Sequence, residues 1–212
     1  MRQLADGVWQ LDGFPKNNVN VYILEDVLVD AGMFYEKGRI AKQIRGRNLS
    51  VHALTHAHPD HSGASHAICE EFDLPLWCGA GDVEAAERGK VATRFLGGWI
   101  PGPAAHPVAK GLKEGDTVAG FTVLETPGHS PGHVSYWRES DRTLICGDVF
   151  FGYNPFLLMG GVREPPSLFT VDPELNRRSA KRLAELQPLL TCFGHGPPLR
   201  DPNVLTAFAA TL

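Results

Sequence analysis

The sequence predicts an α/β fold in which helices pack on the outside of β-sheets. Short apolar segments of strand length alternate along the chain with segments that have helical spacing. This alternation occurs in two successive runs, which indicates two similar halves. The chain has 212 residues, of which 43% are hydrophobic and 21% are charged, as is ordinary for a globular protein. Because this length allows a sizeable core, we expect residues 1–212 to form a single domain.

The first half is predicted to combine short buried strands with amphipathic helices. Its strands are the apolar segments 8–11, 19–24, 27–30, 51–55 and 76–78. Its helices carry apolar residues at helical spacing and cover residues 36–44, 62–72 and 82–88. Asp82 begins the last of these helices, in the position of an N-terminal cap.

The second half repeats this organisation. Its predicted strands are residues 117–119, 121–125, 134–137, 143–146 and 189–193. Asp172 followed by Pro173 is typical of a helix start. Three leucines then give this helix an apolar side: Leu175, Leu183 and Leu186. A terminal helix is predicted over residues 202–212.

The densest group of metal-capable side chains is the stretch His56-Ala57-His58-Pro59-Asp60-His61, directly after a predicted strand. Side chains two residues apart in extended chain point the same way, so the imidazoles of His56 and His58 can reach one ion. Asp60 and His61 follow at the turn into a helix, angled toward a second position nearby. Mixed nitrogen and carboxylate ligands suit zinc or another divalent first-row metal.

Three later segments each deliver one ligand-type side chain at the end of an apolar stretch. The segments are 126–133, 144–148 and 193–197, and they contain His129, Asp148 and His195. Glycines beside these residues let the backbone turn sharply and approach another group closely. Three scattered histidines are interpreted instead as solvated polar residues: His52, His66 and His106.

These motifs together resemble the metallo-β-lactamase superfamily, and within it the glyoxalase II-like metallo-hydrolases. The resemblance is carried by H-x-H-x-D-H at 56–61, Pro-Gly-His at 127–129, Gly-Asp at 147–148 and Gly-His at 194–195. It spans nearly the whole chain, from Val19 to His195. It implies a four-layer αββα sandwich of the metallo-β-lactamase type, with metal ions at one edge between the sheets.

The resemblance also implies a site for two divalent metal ions. One ion would be held by His56, His58 and His129, the other by Asp60, His61 and His195, and Asp148 would bridge both. Zinc is the expected metal, with manganese and iron as alternatives. Two such ions lower the pKa of a shared water and polarise a scissile group. The implied activity is therefore hydrolysis of a small ester, thioester or lactone by a metal-bridging hydroxide, with Asp60 as proton acceptor.

The chain departs from glyoxalase II after the last motif. Gly196 and Pro197 follow His195, where glyoxalase II has a Gly-His-Glu-Tyr context. About seventeen residues follow His195, so we expect the helical extension that binds glutathione in that enzyme to be absent.

Two other functions share this motif pattern or ligand set. Persulfide dioxygenases of the same fold contain H-x-H-x-D-H and hold a single iron. In this chain that iron would be bound by His56, His129 and Asp148. A metal-holding module without catalytic activity is a further alternative, in which the ligand set would not be used for turnover.

Two segments, 94–107 and 150–169, are predicted as loops that interrupt the pattern of strands and helices. Their large side chains form either an apolar substrate pocket or ordinary core and interface packing. The side chains are Phe95, Leu96, Trp99, Ile100, Phe150, Phe151, Tyr153, Phe156, Leu157, Leu158 and Met159. Tyr153 has a polar tip and is the candidate for a catalytic contact with a carbonyl or oxyanion.

Several polar residues near the motifs are expected to support the site without binding metal. His133 is interpreted as a packing or hydrogen-bonding residue and not as an eighth ligand. Asp30 either orients a ligand imidazole or only forms a turn. The nearby serines are interpreted as turn and supporting groups: Ser62, Ser130 and Ser135.

Bulk properties limit the partners. The formal net charge is −4 and no run of Lys or Arg occurs, so neither nucleic acid nor an anionic membrane is expected as a partner. No apolar stretch approaches the ~20 residues that span a bilayer, and the N-terminus lacks the apolar core of a signal peptide. The 4 cysteines have no C-x-x-C spacing and read as buried thiols of a cytoplasmic protein. The expected partner is a small-molecule substrate. The oligomeric state is open, with a homodimer as one alternative.

Overall fold

Two β-sheets form the centre of the structure. The computed structural model describes residues 1–92, 99–153 and 160–212, with the side chains of residues 92 and 99–101 left aside. Within these residues the first sheet has seven strands in the order β1-β2-β3-β4-β5-β6-β9. These strands are Arg2–Ala5, Val8–Gln10, Tyr22–Leu24, Val27–Val29, Val51–Ala53, Leu76–Gly79 and, as β9, Val108–Leu112.

The second sheet is built from the second half of the chain. Among the described residues it has five strands, β10-β11-β12-β13-β16, which are Thr117–Val118, Phe121–Glu125, Val134–Arg138, Thr143–Gly147 and Leu190–Phe193. Two short antiparallel ribbons lie outside the sheets. Their strands are β7 Lys90–Ala92 with β8 Trp99–Pro101, and β14 Phe151–Tyr153 with β15 Gly160–Arg163.

The helices flank the two sheets. Before the second sheet come α1 Lys37–Ile44, α2 Pro59–Ser62, α3 Ser65–Phe72 and α4 Val83–Arg88. After β15 come α5 Pro173–Glu185 and α6 Pro202–Ala209. Asp172 caps α5, because its side chain accepts a hydrogen bond from the Leu175 amide. No helix in the described part of the chain has the length and apolar character needed to cross a lipid bilayer.

The core shows that the layers stack as helix, sheet, sheet, helix. The two sheets enclose a cluster to which Tyr22 and Val29 contribute from the first sheet, and Phe121 and Tyr136 from the second. Alternate residues point away from this cluster, as the two-residue period of a strand requires. Ile23 and Leu28 therefore pack with α1 and α3. Similarly, Leu144 and Cys146 pack with α5 and α6. This arrangement confirms the predicted four-layer αββα sandwich.

Parallel strand pairs bring the ends of several strands to one edge. In the first sheet β4, β5 and β6 are parallel neighbours, and in the second sheet β13 and β16 are parallel. Parallel strands end at the same side of a sheet. The segments that follow β5, β13 and β16 therefore leave the sheets together, and they carry six of the seven predicted ligands, whereas His129 lies in the segment that follows β11.

The structure differs from the sequence-based elements at several boundaries. The strand predicted at 51–55 ends at Ala53, and the helix predicted at 62–72 is divided into α2 and α3. Strands β1 and β9 were not predicted. The segments 94–107 and 150–169 were predicted as loops, but they contain β8 and the β14–β15 ribbon. Residues 93–98 and 154–159 lie outside the described residues, and with them Phe95, Leu96, Phe156, Leu157, Leu158 and Met159.

The helix layer on the second sheet gives a test of the core. Leu183 on α5 is fully buried, so Leu183→Ala should lower the free energy of unfolding by ~2–5 kcal/mol. Val204 on α6 is 42% exposed, and Val204→Ala should change that free energy by only about 0.5 kcal/mol. Chemical denaturation of both variants measures the difference. Equal destabilisation would contradict the assigned packing.

Candidate metal centre

The H-x-H-x-D-H motif lies at the end of β5. His56 and His58 follow the strand in extended chain, and His58 is the N-cap of α2. Pro59 occupies the first turn of that helix, where its missing N–H costs no hydrogen bond. Asp60 and His61 are carried by the helix itself. The local sequence thus turns the chain abruptly and directs its four polar side chains toward the gap between the sheets.

One group of ligand-type atoms contains three imidazoles. The ring nitrogens of His56, His58 and His129 lie within 4.8 Å of one another. His58 Nδ1 and His129 Nε2 are 2.9 Å apart. The structure thus brings together the three residues that the sequence predicts for the first ion.

A second group contains two imidazoles and two carboxylates. Ligand atoms of Asp60, His61, Asp148 and His195 also lie within 4.8 Å of one another. His195 Nε2 lies 3.1 Å from Asp60 Oδ2 and 3.3 Å from His61 Nε2. These are the three residues predicted for the second ion, joined by Asp148.

Asp148 lies between the two groups and contacts both. Its Oδ2 is 3.4 Å from His129 Nε2 and 3.8 Å from His56 Nε2. Its Oδ1 is 3.4 Å from His61 Nε2, and Oδ2 is also 3.3 Å from His195 Nε2. One carboxylate therefore faces four of the five imidazoles of the two groups, two from each group, which is the geometry that a bridging ligand needs.

Hydrogen bonds at the outer nitrogens orient the rings. His61 Nδ1 donates to Asp30 Oδ2 at 2.8 Å, and His195 Nδ1 donates to the carbonyl of Asn18 at 2.5 Å. Thr170 Oγ1 donates to the Pro166 carbonyl, so it accepts from His129 Nδ1 at 3.1 Å. When these imidazoles are neutral, the lone pair of each therefore lies on Nε2, directed into the centre.

His56 is held in the same way through Thr55. The Thr55 hydroxyl donates to Asp30 Oδ2 at 2.9 Å and therefore accepts from His56 Nδ1 at 3.0 Å. His56 Nε2 is buried and, among the described residues, has no hydrogen-bond partner. Asp148 Oδ1 is another such buried atom. Asp30 thus orients ligand-type imidazoles as well as forming the turn after β4.

The donor set fits divalent metal ions. Two ligand atoms bound tetrahedrally to zinc at ~2.0–2.1 Å lie roughly 3.3 Å apart. Separations close to this value occur in the second group, where His61 to His195 and His195 to Asp148 are both 3.3 Å, and between His129 and Asp148, which are 3.4 Å apart. Buried polar atoms without partners are costly, and a cation between the groups would satisfy both His56 Nε2 and Asp148 Oδ1.

The pKa values agree with such a charge distribution. Burial, together with neighbouring imidazoles, holds the pKa of His56 and His129 well below the usual range, so both rings are neutral. Burial acts against a positive charge on His195 as well, but Asp148 and Asp60 raise its pKa to about 10. Although burial alone would raise the pKa of Asp148, His195 and His61 hold it well below its ordinary value. The carboxylates therefore favour positive charge in the space between the groups.

His133 contacts Asp148 through the backbone. Its Nε2 accepts a hydrogen bond from the Asp148 amide at 3.0 Å, and its Nδ1 donates to Thr126 Oγ1 at 2.8 Å. Both ring nitrogens are engaged outside the ligand groups. Burial lowers the pKa of His133 to about 3, which keeps the ring neutral. This agrees with the interpretation of His133 as a supporting residue.

Asp82 links the two ligand-bearing loops, a role that the sequence did not indicate. It lies at the N-cap of α4, but its side chain makes no capping hydrogen bond. Its carboxylate accepts instead from the Ala57 amide at 3.0 Å, the Ser130 hydroxyl at 2.7 Å and the Gly132 amide at 2.7 Å. Asp82 therefore occupies the predicted N-cap position, but the prediction that its side chain caps the helix was wrong. A buried acidic residue is not distinguishable from a cap by local sequence.

The interpretation of the scattered histidines was wrong for His52. This residue is fully buried on β5, with Nδ1 3.2 Å from the Leu28 carbonyl and Nε2 2.8 Å from Ser65 Oγ. Burial lowers its pKa to about 4. His66 and His106 are partly buried and lie against each other, with 3.1 Å between their Nδ1 atoms.

A cavity of about 430 Å³ opens above the ligand groups. Its wall is largely apolar and aromatic, while its floor carries ligand-type residues. The lining residues are Asn18, Val19, Met33, Tyr35, His58, Pro59, Asp60, Val91, His129, Asp148, Phe151, Tyr153, Pro166, Phe169 and His195. Phe151, Tyr153, Pro166 and Phe169 come from the 150–169 segment, so part of this segment forms the pocket. Phe150, by contrast, is fully buried in the core.

Tyr153 lies on the cavity wall with its hydroxyl engaged. The hydroxyl donates to Asn18 Oδ1 at 2.5 Å. Burial and then the Asp148 and Asp60 charges raise the pKa of Tyr153 above its ordinary value, so the phenol is protonated at neutral pH. Asn18, which the sequence did not single out, therefore connects Tyr153 to His195 through its side chain and its carbonyl.

Gly194 offers a test of the close packing beside Asp148. A Cβ at this position would overlap Asp148 Oδ1 and would crowd the His61 ring. Gly194→Ala should displace these groups and lower zinc affinity by about 10- to 100-fold. Gly38→Ala is the control, because a Cβ there meets nothing within 4 Å. Competition with a chelating dye measures both, and wild-type affinity in Gly194→Ala would contradict the prediction.

Comparison with known proteins agrees with this architecture. The sequence model of the metallo-beta-lactamase superfamily matches residues 15–195. The chain is 31% identical over 205 residues to "Probable metallo-hydrolase YflN" of Bacillus subtilis (strain 168), with 84% of this chain and 77% of that protein covered. It is 32% identical over 156 residues to a hydroxyacylglutathione hydrolase of Bdellovibrio bacteriovorus, with 68% of this chain but 53% of that protein covered.

A solved structure is similar along the full chain. The crystal structure of TTHA1623 in a di-iron-bound form superposes with a TM-score of 0.65 at 28% sequence identity, covering 100% of this chain and 98% of that one. The family match over most of the chain and the shared fold confirm the resemblance that the motifs predicted. The chain belongs to the metallo-β-lactamase superfamily.

Proposed function

We propose that the chain is a hydrolase that uses two metal ions and acts on a small ester, thioester or lactone. The observation that carries this proposal is the position of the two ligand groups at the floor of a largely apolar cavity. The relatives named metallo-hydrolase and hydroxyacylglutathione hydrolase support metal-dependent hydrolysis as the reaction type.

The proposed ligands are the seven residues of the two groups. His56, His58 and His129 would bind one ion, Asp60, His61 and His195 would bind the other, and Asp148 would bridge. Zinc is the proposed metal, with manganese and iron as alternatives, since nitrogen and carboxylate ligands accept all three. When bound, two such ions activate a shared water near neutral pH and polarise the scissile carbonyl.

Asp60 is the proposed proton acceptor. Its side chain is 33% exposed, whereas the side chain of Asp148 is 2% exposed, so Asp60 is the carboxylate that a molecule in the cavity can reach. Although burial opposes ionisation, His61 and His195 hold the pKa of Asp60 below its ordinary value. Its carboxylate is therefore free to accept the proton of the attacking water. The water oxygen bonds to the carbonyl carbon, the carbonyl–oxygen or carbonyl–sulfur bond breaks, and the proton that Asp60 accepted passes to the leaving alcohol or thiol.

The cavity wall supports a neutral acyl substrate. Val19, Met33, Val91 and Phe151 provide apolar contact, and no Lys or Arg occurs among the described residues that line the cavity. Phosphodiesters and other anionic substrates are usually bound by such cations. A small molecule with an apolar acyl group or lactone ring fits this wall better than a nucleic acid.

Tyr153 is proposed as a secondary catalytic group. It lines the same cavity as Asp60 and His195. Because its hydroxyl donates to Asn18, contact with a substrate oxyanion requires that hydrogen bond to be exchanged. We therefore assign Tyr153 a smaller contribution than the ligand-type residues.

The persulfide dioxygenase alternative has less support. A single iron would use His56, His129 and Asp148, but the structure also gathers Asp60, His61 and His195 around the same bridging carboxylate. A second complete group is not needed for a mononuclear site. Residues 1–212 are further proposed to act as one domain in the cytoplasm, which the buried free thiols of the four cysteines support.

A substrate and metal survey tests the proposal. The zinc-loaded chain should retain close to two ions in the two ligand groups at the cavity floor and should hydrolyse members of an ester, thioester and lactone panel in preference to phosphodiesters. Metal content is measured by mass spectrometry alongside turnover, and the ions of the two ligand groups are counted as the zinc that is lost when their ligands are replaced together by Ala. Loss of only one ion, or preference for phosphodiesters, would reject the proposed site or substrate class.

Removal of the bridging charge should impair hydrolysis more than removal of the tyrosine hydroxyl. Tyr153→Phe loses at most one hydrogen bond to an oxyanion, worth ~2.7–4 kcal/mol where such bonds are strong. Asp148→Asn removes a negative charge that faces both groups and should reduce kcat/KM further. Both variants are compared at saturating zinc with the best substrate of the panel. Wild-type kinetics for Asp148→Asn would show that the bridge is wrongly assigned.

His61→Ala separates the hydrolase from the dioxygenase. In a two-metal hydrolase this change removes a ligand of the second ion and should abolish most turnover. In a mononuclear iron enzyme His61 would not bind the metal. Ester and lactone hydrolysis is measured beside oxygen uptake with glutathione persulfide, for the wild type and the variant. Iron-dependent oxygen uptake that survives His61→Ala would overturn the hydrolase.

A further inference from the structure

Three ligand-type side chains meet outside the two groups described above. His66 and Glu70 lie on α3, and His106 lies in the segment that leads into β9. A spacing of four residues places His66 and Glu70 on the same face of a helix, one turn apart. The His106 segment crosses this face, and the amide of His106 is fixed by a hydrogen bond to the Ala86 carbonyl at 3.1 Å.

The separations match those of ligands around a small divalent cation. The Nδ1 atoms of His66 and His106 are 3.1 Å apart, and His106 Nδ1 is 3.9 Å from Glu70 Oε1. One ligand atom from each residue lies within 4.8 Å of the others. Tetrahedral ligands on zinc are roughly 3.3 Å apart, so a small movement of the exposed Glu70 side chain completes the geometry.

We propose that His66, Glu70 and His106 form a third metal site, separate from the two ligand groups at the cavity. Two imidazoles and one carboxylate are a donor set that zinc accepts, with a fourth position left for water. The His106 side chain is 12% exposed and the Glu70 side chain is 67% exposed, so solvent provides an entry path.

A metal at this site would fasten the segment before β9 to α3. The same segment contacts the β7 end of the β7–β8 ribbon, where the Gly102 amide donates to the Gly89 carbonyl at 2.8 Å. Val91 of that ribbon lines the cavity. The site is therefore structural in character, and it joins the outer helix layer to an element of the cavity wall without contributing to the reaction.

Zinc binding at equilibrium tests this proposal. The wild type and a His66→Asn/His106→Asn double variant are dialysed against a series of free zinc concentrations, and bound zinc per chain is measured by mass spectrometry. The double variant should bind about one zinc fewer than the wild type at saturation. Because only the difference is read, the result does not depend on how many ions the cavity site holds.

Single substitutions control for a folding defect of the double variant and test the individual ligands. Glu70→Gln should weaken the additional zinc while leaving the fold intact. Glu71→Gln on the same helix is the matched control, since Glu71 pairs instead with Lys37 at 3.1 Å and Arg45 at 2.9 Å. Hydrolysis by each variant should equal that of the wild type. Equal zinc stoichiometry in the wild type and a folded double variant would overturn the proposal. His66 and His106 would then be only a hydrogen-bonded pair that binds no metal.

Discussion

The arrangement of the two ligand groups depends on the carboxylate of Asp148. An ionised carboxylate buried at 2% exposure is tolerated only where positive charge or hydrogen-bond donors compensate it. Four imidazoles face it, two from each ligand group, and His133 fixes its backbone. Gly147 and Gly194 leave the space around it open: a Cβ at Gly147 would crowd the His133 ring, and one at Gly194 would overlap the carboxylate. The charge, the rings and the glycines therefore form one interdependent unit.

Two further buried acidic residues hold the loops that carry the ligands. Asp30 accepts from the Thr55 amide and hydroxyl and from His61, and Asp82 accepts from Ala57, Ser130 and Gly132. These carboxylates accept hydrogen bonds from backbone and side-chain donors of the loops. They leave the inward-facing ring nitrogens of the ligand groups, such as Nε2 of His61, open to the centre. The ring orientations are thereby set by the protein, so a metal ion entering the site meets preorganised ligands. Loops that carry function are commonly positioned by a rigid scaffold of this kind.

The solvent exposure of the side chains distinguishes the two ligand groups at the cavity from the third cluster. Six of the proposed ligands at the cavity are nearly inaccessible, and Asp60 alone among the seven presents about a third of its side chain to solvent. The His66, Glu70 and His106 cluster lies on the outer helix layer, where Glu70 is mostly exposed. The cavity site places buried charged groups beside an apolar wall, and this environment is suited to catalysis. The third cluster can bind an ion but offers no cavity around it in which a substrate would be enclosed.

The α/β fold class and the set of ligand-type residues could be predicted from the sequence alone. These predictions rest on local features: the apolar periodicity of the strands, the turn at Pro59 and the glycines beside Asp148 and His195. Such features lie within a few consecutive residues, so they can be recognised without the structure. The contacts of Asp82, Asn18 and Thr170, the burial of His52 and the meeting of His66 with His106 were decided by tertiary structure. Each of these depends on residues far apart in the chain, for example 48 positions between Asp82 and Ser130. No periodicity or motif encodes such a pairing, because it arises only when the two sheets and their helix layers pack together.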